Sequence, residues 1–379
     1  ERLAVTCTVE QVDGRRGVSR FIDFAWRVER GAASKWVPPL RVMIQGDLDR
    51  KGNPFYRNAD RALFIAKRDG RPVARVAAID NGRHNDHHGD RVGFFGFFEG
   101  QNDQEATRAV MTAAEAWLAA RGKTSVRGPV NPSMHHELGI LVDGFRSEPA
   151  IMTPWNPPYY GTMLEAAGYK KARDLFAFDL PAGDDAISDR VGRIAERHRK
   201  RTGVTFRSWK PSAIKEEARK VHGLYCEAWD GSWGFVPPTW EEFWHMAKDL
   251  KSVLHPDFAF VAEVEGDPVG FIMIARDINR VLQRIPSGRL WPWNIALLLL
   301  GLPRVVRGRI VLLGLKRDHR NRGLFPLLAA EIARRASAID ADGAEASWIL
   351  EENESLLRPL ESLGLAPTKR WRIFEKMID

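Results

Sequence analysis

The chain has 379 residues, 44% of them hydrophobic and 28% charged, so it is long enough for two globular domains, and it has no run of about 20 apolar residues that would span a bilayer. Its two cysteines are too few for a disulfide framework or a cysteine-rich metal site, and without an export signal they indicate a cytoplasmic protein. The formal net charge of +8 predicts an anionic partner such as a phosphorylated cofactor, an acidic membrane surface or a nucleic acid.

A strand-turn-strand pattern occurs once in each half of the chain. Residues 64–74, FIAKRDGRPVA, place β-forming residues on both sides of Asp69-Gly70, which predicts a hairpin with a tight turn. Residues 260–270, FVAEVEGDPVG, repeat the pattern at an offset of 196 residues (260 − 64). The motif L-E-x-x-G begins at Leu164 and again at Leu360, at the same offset. Two matches at one offset predict a duplicated fold.

Two polar loops in the first half carry groups that acid–base catalysis uses. The loop 131–137 contains His136 and Glu137, and the loop 155–160 contains Tyr160. Both contain proline, which is typical of loops, and we treat these three residues as catalytic candidates. Two other interpretations stay open: histidines held by ordinary hydrogen bonds without metal, and a tyrosine that packs at a domain interface.

Each half is predicted to contain an antiparallel strand pair, a helix that follows a strand, another strand and a short terminal helix. The helices that follow a strand are expected at residues 104–121 and 324–338. This order indicates the α+β class, with two tandem mixed-sheet domains. We expect a first domain over residues 1–180, a basic linker helix over 181–201 and a second domain over 202–379, with the first domain shaping the acceptor side.

An arginine-rich segment, residues 276–309, interrupts the second half. It contains seven arginines and one acidic residue, Asp277, around the tryptophans 291 and 293 and an apolar run at 295–302. A helix of about 12 Å would be too short to cross a membrane but long enough to lie in its surface. Residues 289–309 are therefore a candidate contact with an anionic membrane; a buried helix is the alternative.

A strand, a basic turn and a helix start follow one another near residue 320. Residues 309–315 have the pattern of a buried strand, 316–322 are strongly basic, and a helix begins at Leu324. The free N–H groups at a helix N-terminus attract anions, and Gly323 allows the ligand to approach the backbone closely. The pattern predicts a phosphate-binding site; an ordinary solvated basic turn is the alternative.

These residues resemble the GNAT superfamily of acyl-CoA N-acyltransferases, whose cofactor loop reads (Q/R)-x-x-G-x-(G/A). Arg320 and Gly323 match that loop, whereas Phe325 occupies the position where Gly or Ala is usual. The strand 94–99 of the first half runs into residues 100–103 without an Arg-x-x-Gly, so we expect no cofactor there. The resemblance implies that acyl-CoA binds the second domain through residues that match the family's elements: Leu313, Leu315, Arg320, Arg322, Gly323, Leu324 and Asn353.

The resemblance also implies a reaction, in which an amine attacks the acyl thioester and loses a proton. Glu351, at the end of the strand that follows the cofactor helix, is the first candidate for the base, ahead of Glu137 and His136. The family often has a tyrosine seven residues after the asparagine, as the acid for the departing thiolate, but that position is Leu360 here. A thiolate with a pKa of about 8.5 leaves without much help.

Over its whole length, including residues 93–99 and 156–160, the chain resembles a bacterial group of two-unit GNAT proteins that includes bacterial ceramide synthases. That resemblance implies transfer of a long-chain acyl group from acyl-CoA to a sphingoid amine, giving a (dihydro)ceramide, with no metal. We expect no nucleic-acid partner, because the positive charge is not interleaved with a recognisable recognition element. The resemblance is consistent with a cytoplasmic enzyme peripheral to the inner membrane. The alternatives are a Fem-like transferase that uses aminoacyl-tRNA and a non-catalytic protein that binds acyl-CoA or lipid.

Overall fold

The chain folds as two compact units. The computed structural model describes residues 7–182, 185–320 and 323–378. Unit 1 comprises Glu1–Leu175, Leu282–Asn294 and Lys369–Asp379, and unit 2 comprises Phe176–Val281 and Ile295–Thr368. The chain therefore passes from one unit to the other more than once.

Unit 1 contains a mixed sheet with helices on its faces. Its strands and helices are β1 (Cys7–Val12), α1 (Gly14–Phe24), α2 (Arg41–Asp47), β2 (Ala59–Arg68), β3 (Arg71–Asn81), α3 (Gly82–His88), β4 (Val92–Gly100), α4 (Gln104–Ala119), β5 (Ser125–Gly128), β6 (Val130–Asn131), β7 (Glu137–Leu138), β8 (Ile140–Asp143) and α5 (Tyr159–Ala166). A unit boundary falls within β9 (Lys170–Leu180), α9 (Asn279–Leu282), α10 (Pro292–Gly301) and β15 (Pro367–Met377).

The sheet of unit 1 has the strand order β1-β2-β3-β4-β5-β15. Neighbouring strands are antiparallel except β4 and β5, which are parallel. The buried face of α4 covers the strands through Val110, Met111 and Leu118. Tyr160 and Leu164 of α5 join the same apolar cluster, so helices packed on alternating apolar positions of the strands form this core.

Unit 2 also contains a mixed set of parallel and antiparallel strands. Its elements are α6 (Asp185–Thr202), β10 (Val204–Ser208), α7 (Ile214–Trp229), α8 (Trp240–Lys251), β11 (Leu254–Val264), β12 (Asp267–Arg276), β13 (Gly308–Leu315), α11 (Leu324–Ser337), β14 (Ala344–Leu350) and α12 (Glu354–Ser362). The strand order is β14-β13-β12-β11-β10, and only the pair β13 and β14 is parallel.

Both faces of the unit 2 sheet are covered by helices. Val261 and Phe271 lie in one apolar cluster with residues of α7 and α8. Phe260 and Ile272, one position away on the same strands, lie in a second cluster with residues of α6 and α11. Side chains of a strand alternate between the two faces, so both faces must be apolar when both are covered.

The predicted duplication is confirmed in the backbone of the two hairpins. Asp69 and Gly70, between β2 and β3, have φ of 51° and 75°. Glu265 and Gly266, between β11 and β12, have φ of 53° and 87°. Both turns therefore use two consecutive left-handed residues, which matches the twist of a two-residue hairpin. The predicted helices are also confirmed, as α4 and α11.

Apolar side chains of α10 are exposed rather than buried. Trp293 is 67% exposed, Leu299 70% and Leu300 65%. Asn294 is the buried residue of this helix. The alternative of a buried helix at 295–302 is therefore wrong, because the sequence pattern alone cannot tell an apolar helix in a core from one on a surface.

Candidate active site in unit 2

The parallel strands β13 and β14 lie side by side only at their beginnings. Gly308 pairs with Ala344 and Ile310 with Ala346, where the parallel ladder ends. On its other side β13 stays paired with β12 as far as Leu315, with one extra residue inserted at position 311. The two strands thus part beyond Ile310. A strand edge that has lost its neighbour presents N–H and C=O groups to an extended ligand.

A buried polar group lies at the point where the strands part. The Arg309 Nε donates to Ser347 Oγ at 2.9 Å, and Ser347 Oγ donates to a Glu345 carboxylate oxygen at 2.7 Å. Arg309 is 3% exposed and Glu345 4%. A buried charge needs such partners, so this cluster joins β13 to β14 at the base of the gap. Arg309 therefore does not belong to the surface predicted for residues 289–309, and the expectation is wrong at that position.

The gap opens into an apolar cavity inside unit 2, with a volume of about 490 Å³. Its walls include Val311 and Leu313 of β13, Phe325, Ala329 and Ala333 of α11, and Leu360 of α12. Leu360, which occupies the position of the tyrosine expected from the resemblance, is thus part of an apolar wall. Such a lining suits an alkyl chain better than a polar ligand, because buried polar groups without partners are costly.

Among the charged residues in the lining, Arg276 donates to the Leu302 carbonyl oxygen at 3.0 Å. Arg307 pairs with the Asp179 carboxylate. Burial lowers the pKa of His255, as does the nearby Arg276, so this histidine stays neutral at physiological pH. Of these groups, His255 is neutral and Arg307 is balanced by a carboxylate, whereas Arg276 keeps its positive charge beside a backbone carbonyl oxygen.

The N-terminus of α11 has the backbone geometry that the predicted anion site requires. Gly323 is the N-cap residue, with φ of 78° and no side-chain cap, so the first N–H groups of α11 have no side-chain acceptor. The φ of Gly323 favours glycine, and a Cβ placed there would lie 2.2 Å from His198 Nδ1, so a larger residue would also displace the His198 ring. Arg320 lies one turn earlier and donates to the carbonyl oxygens of Ala228 and Leu315. Arg322 lies outside the described residues.

The corresponding helix of unit 1 begins differently. Asp103, the N-cap of α4, accepts a hydrogen bond from the Ala106 N–H at 3.0 Å. The Arg68 guanidinium forms two hydrogen bonds to the same carboxylate, and this lowers the pKa of Asp103. A carboxylate therefore already occupies this helix N-terminus, and it would repel a pyrophosphate.

The chain itself fills the gap between β4 and β5 in unit 1. These strands pair from Val92 to Phe94 only. A Cβ on Gly96 would lie 1.8 Å from the Val130 carbonyl oxygen, and the Phe97 N–H donates to the Asn131 side chain at 2.6 Å. That unit 1 binds no acyl-CoA stays a prediction, and this packing gives it a physical reason.

Of the other predicted cofactor residues, Leu313 is the one that lies in the cavity wall. Leu315 is 8% exposed and Leu324 1%, so these two would contribute backbone groups rather than side chains. Asn353 precedes the first residue of α12 and accepts a hydrogen bond from Ser355 Oγ at 2.6 Å. Glu351 is half-buried in the turn after β14.

The remaining catalytic candidates belong to unit 1. His136 Nδ1 lies 2.8 Å from Ser133 Oγ, and Glu137 begins β7. The Tyr160 hydroxyl donates to Glu99 at 2.7 Å and accepts from the Gly100 N–H at 2.9 Å. Burial and the Glu99 carboxylate raise the pKa of Tyr160. Tyr160 thus takes part in a buried hydrogen-bond network at the end of β4; a catalytic role for it stays a prediction.

Sequence reasoning missed two features of this site. One is His198, which lies against the predicted anion site from α6; the basic composition of 181–201 was its only signal. The other is the cavity. Small residues such as Ala329 and Ala333 line it, but in a sequence small residues are equally compatible with close packing of a helix against a sheet. Within the ranges that the structure describes, we find no group of three or more His, Cys, Asp or Glu placed to hold a metal ion. No helix in those ranges is long and apolar enough to span a bilayer.

Comparison with known proteins gives two full-length relatives. No protein-family model matches the chain. The protein named bacterial ceramide synthase of Caulobacter vibrioides is 33% identical over 353 residues, covering 90% of this chain and 90% of that protein. Protein YghO of Escherichia coli is 31% identical over 353 residues, covering 90% of this chain and 88% of that protein.

Solved structures share the fold at low sequence identity. A tandem GNAT protein from the clavulanic acid biosynthesis pathway superposes with a TM-score of 0.58 and 14% identity, covering 98% of both chains. A probable N-acyltransferase from Enterococcus faecalis has a TM-score of 0.54 at 12% identity, covering 98% of this chain and 72% of that chain. The predicted α+β architecture of two tandem GNAT-like units is thereby confirmed.

Proposed function

The chain belongs to the family that includes the bacterial ceramide synthase of Caulobacter vibrioides and YghO of Escherichia coli, and we propose that it transfers a long-chain acyl group from acyl-CoA to an amine. The acceptor that the relative's name suggests is a sphingoid base, and the product would be a (dihydro)ceramide. The observation that carries the proposal is the gap between β13 and β14, which opens into an apolar cavity beside an uncapped helix N-terminus.

The residues of unit 2 suit each part of an acyl-CoA. The N–H groups at the start of α11 and the basic residues His198 and Arg320 would hold the pyrophosphate. For Arg320 this requires a turn of the guanidinium away from the Ala228 carbonyl. The free edge of β13 would pair with the pantetheine amides, and its backbone N–H groups near Leu313 would polarise the thioester carbonyl.

The reaction forms one bond and breaks one. The amine nitrogen attacks the carbonyl carbon, a C–N bond forms, the C–S bond breaks, and CoA leaves as its thiolate. The proton on the former amine goes to a base, for which we propose Glu351. Leu360, in the apolar wall, has no ionisable group. It therefore supplies no proton to the sulfur, and the thiolate leaves unassisted.

A direct assay tests the function. The protein is incubated with palmitoyl-CoA and either sphinganine or the soluble polyamine spermidine; free CoA thiol and the amide product are measured by absorbance and mass spectrometry. We expect thiol release and an N-palmitoyl product with sphinganine, at a rate well above that with spermidine. Thiol release only with spermidine would replace the sphingoid acceptor by a soluble one. Binding of CoA with no amide from any amine would identify a non-catalytic binding protein.

We also propose that residues 290–300, the exposed apolar segment, contact an anionic membrane at the cytoplasmic face of the inner membrane. Trp291 and Trp293 stack at 5.6 Å between ring centroids at the start of α10. Exposed arginines lie on both sides of this segment, at Arg289 and Arg304. Exposed tryptophan and leucine with flanking arginine suit the lipid interface, where a water-insoluble acceptor would be found.

Vesicle sedimentation tests this membrane contact. The wild-type protein is expected to sediment with anionic phospholipid vesicles at low salt and to be partly released as the salt concentration rises. The double variant Leu299→Asn/Leu300→Asn should bind about tenfold or more weakly at every salt concentration, because burial of apolar area is not screened. The variant Arg289→Gln/Arg304→Gln should flatten the salt dependence, since each basic residue contributes about 1 kcal/mol.

Val42 and Met43 provide the matched control, since they are 54% and 43% exposed on α2. The variant Val42→Asn/Met43→Asn should sediment like the wild type. A wild-type protein that does not sediment with anionic vesicles at low salt would refute the membrane contact, and the acyl-transfer proposal would be unaffected.

A further inference from the structure

The cavity of unit 2 continues along one side of α11 beyond the point where β13 and β14 part. Phe325, Ala329, Ile332, Ala333 and Ala336 all line it, at the three- and four-residue spacing of one helix face. Leu356 and Leu360 of α12 also line it. The result is a largely apolar groove lined by two helices and by the parting strands.

We propose that this groove is the binding site for the alkyl chain of the acyl donor and that its far end limits the length of that chain. This inference rests on the proposed function. The donor is favoured as the occupant because the groove is continuous with the gap between β13 and β14 and runs along the same helix whose N-terminus is the predicted anion site. All of these features lie within unit 2.

The dimensions of the groove suit a long chain rather than an acetyl group. Its wall on α11 extends from Phe325 to Ser337, which corresponds to about 18 Å at 1.5 Å per residue. An extended chain advances about 1.2 Å per bond, so an acetyl group would leave most of the wall without contact. A methylene group is about the size of a water molecule, whose share of liquid volume is about 30 Å³. The cavity volume of about 490 Å³ therefore leaves room for a chain much longer than an acetyl group.

The far end of the groove lies beyond the last turn of α11. Ile339, Ala341 and Gly343 line it there. Gly343 has φ of 115°, and a Cβ at this position would lie 2.6 Å from the Leu180 carbonyl oxygen. The backbone at Gly343 thus packs closely against Leu180 at this end, whereas Ala333 and Ala336 leave room along the wall. A larger side chain at either alanine should shorten the groove, with Ala336 acting on the longest chains first.

Binding measurements without an acceptor test the inference directly. The dissociation constants of CoA and of its acetyl, octanoyl and palmitoyl thioesters are measured by calorimetry, below the concentration at which palmitoyl-CoA forms micelles. For the wild type, affinity should rise with chain length, by up to about fourfold per buried methylene. Ala336→Phe should weaken palmitoyl-CoA binding at least tenfold and leave octanoyl-CoA within about twofold. Ala333→Phe should weaken both, and neither should change the affinity for CoA itself.

Ala338 offers a matched control, because it is exposed just after α11 and does not line the groove. Ala338→Phe should keep the wild-type chain-length profile. A wild-type affinity that does not depend on chain length, or an unchanged profile in both groove variants, would overturn the inference. These results differ from a failure of the proposed function, which would appear as a wild-type protein that binds neither CoA nor any of its thioesters.

Discussion

Replacement of Glu351 by glutamine is expected to lower kcat by about 10²- to 10⁴-fold, the usual contribution of a positioned general base. An alkyl amine has a pKa of about 10 and is therefore mostly protonated at neutral pH, so it must lose a proton before it can attack. Glu351 is half-buried in the turn that follows β14, and Ile349 of that strand lines the cavity. Glutamine preserves the size of the side chain but cannot accept the proton.

The measurement is kcat as a function of pH, with the affinity for acyl-CoA determined on the same samples. If Glu351 is the base, the variant should bind acyl-CoA like the wild type. Its rate should rise with increasing pH, because deprotonated amine becomes more abundant. Glu352→Gln is the matched control, since Glu352 is exposed at the next position. Wild-type kcat in Glu351→Gln would exclude this role and leave Glu137 and His136 as the candidates to replace next.

Replacement of Gly323 by aspartate is expected to weaken CoA binding roughly 100-fold, since a helix-terminus attraction of about 1–2 kcal/mol is exchanged for a repulsion of similar size. The substitution would give α11 the kind of N-cap carboxylate that Asp103 gives α4. It also introduces a Cβ at the position 2.2 Å from His198 Nδ1. Calorimetric titration with CoA should show one site per chain in the wild type.

The double variant Arg320→Gln/Arg322→Gln tests the same site without a clash, because it adds no atom at the contact with His198; a thermal melt of each variant shows whether it is folded. We expect it to weaken CoA binding about 10- to 100-fold, from the loss of charged hydrogen bonds of about 1.5–3 kcal/mol. Asp103→Gly in unit 1 is the control and should leave both the affinity and the stoichiometry unchanged. Two equivalent sites in the wild type, or unaltered affinity in both the Gly323 and the arginine variants, would contradict a single site in unit 2.

The predictable part of the site consists of elements that are consecutive in the sequence. The strand at 308–315, the glycine at 323 and the helix from 324 are consecutive, and a helix N-terminus attracts anions wherever it is placed. The same holds for the two hairpins, whose turns depend on the two residues at their tips. Local patterns therefore identified the elements, their order and the duplication.

Side-chain partners were not predictable, because they depend on residues far apart in the chain. Arg309 was expected at a surface, yet Glu345 and Ser347 hold it in the interior. Arg320 was expected to face a phosphate, and the structure gives it the Ala228 carbonyl as a partner. The sequence does not show whether an arginine is solvated or buried, because that depends on the groups that surround its side chain in the folded chain.

The sequence by itself thus determined the two-unit architecture and identified the start of α11 as the candidate anion site, since both follow from the periodicity and backbone preferences of short segments. The tertiary structure decided which gaps are filled. Val130 and Asn131 occupy the gap between β4 and β5, whereas the gap between β13 and β14 opens into a cavity. It also decided that Leu299 and Leu300 are exposed. Empty volume and exposure are properties of the space between elements, and that space is set by packing over long sequence separations.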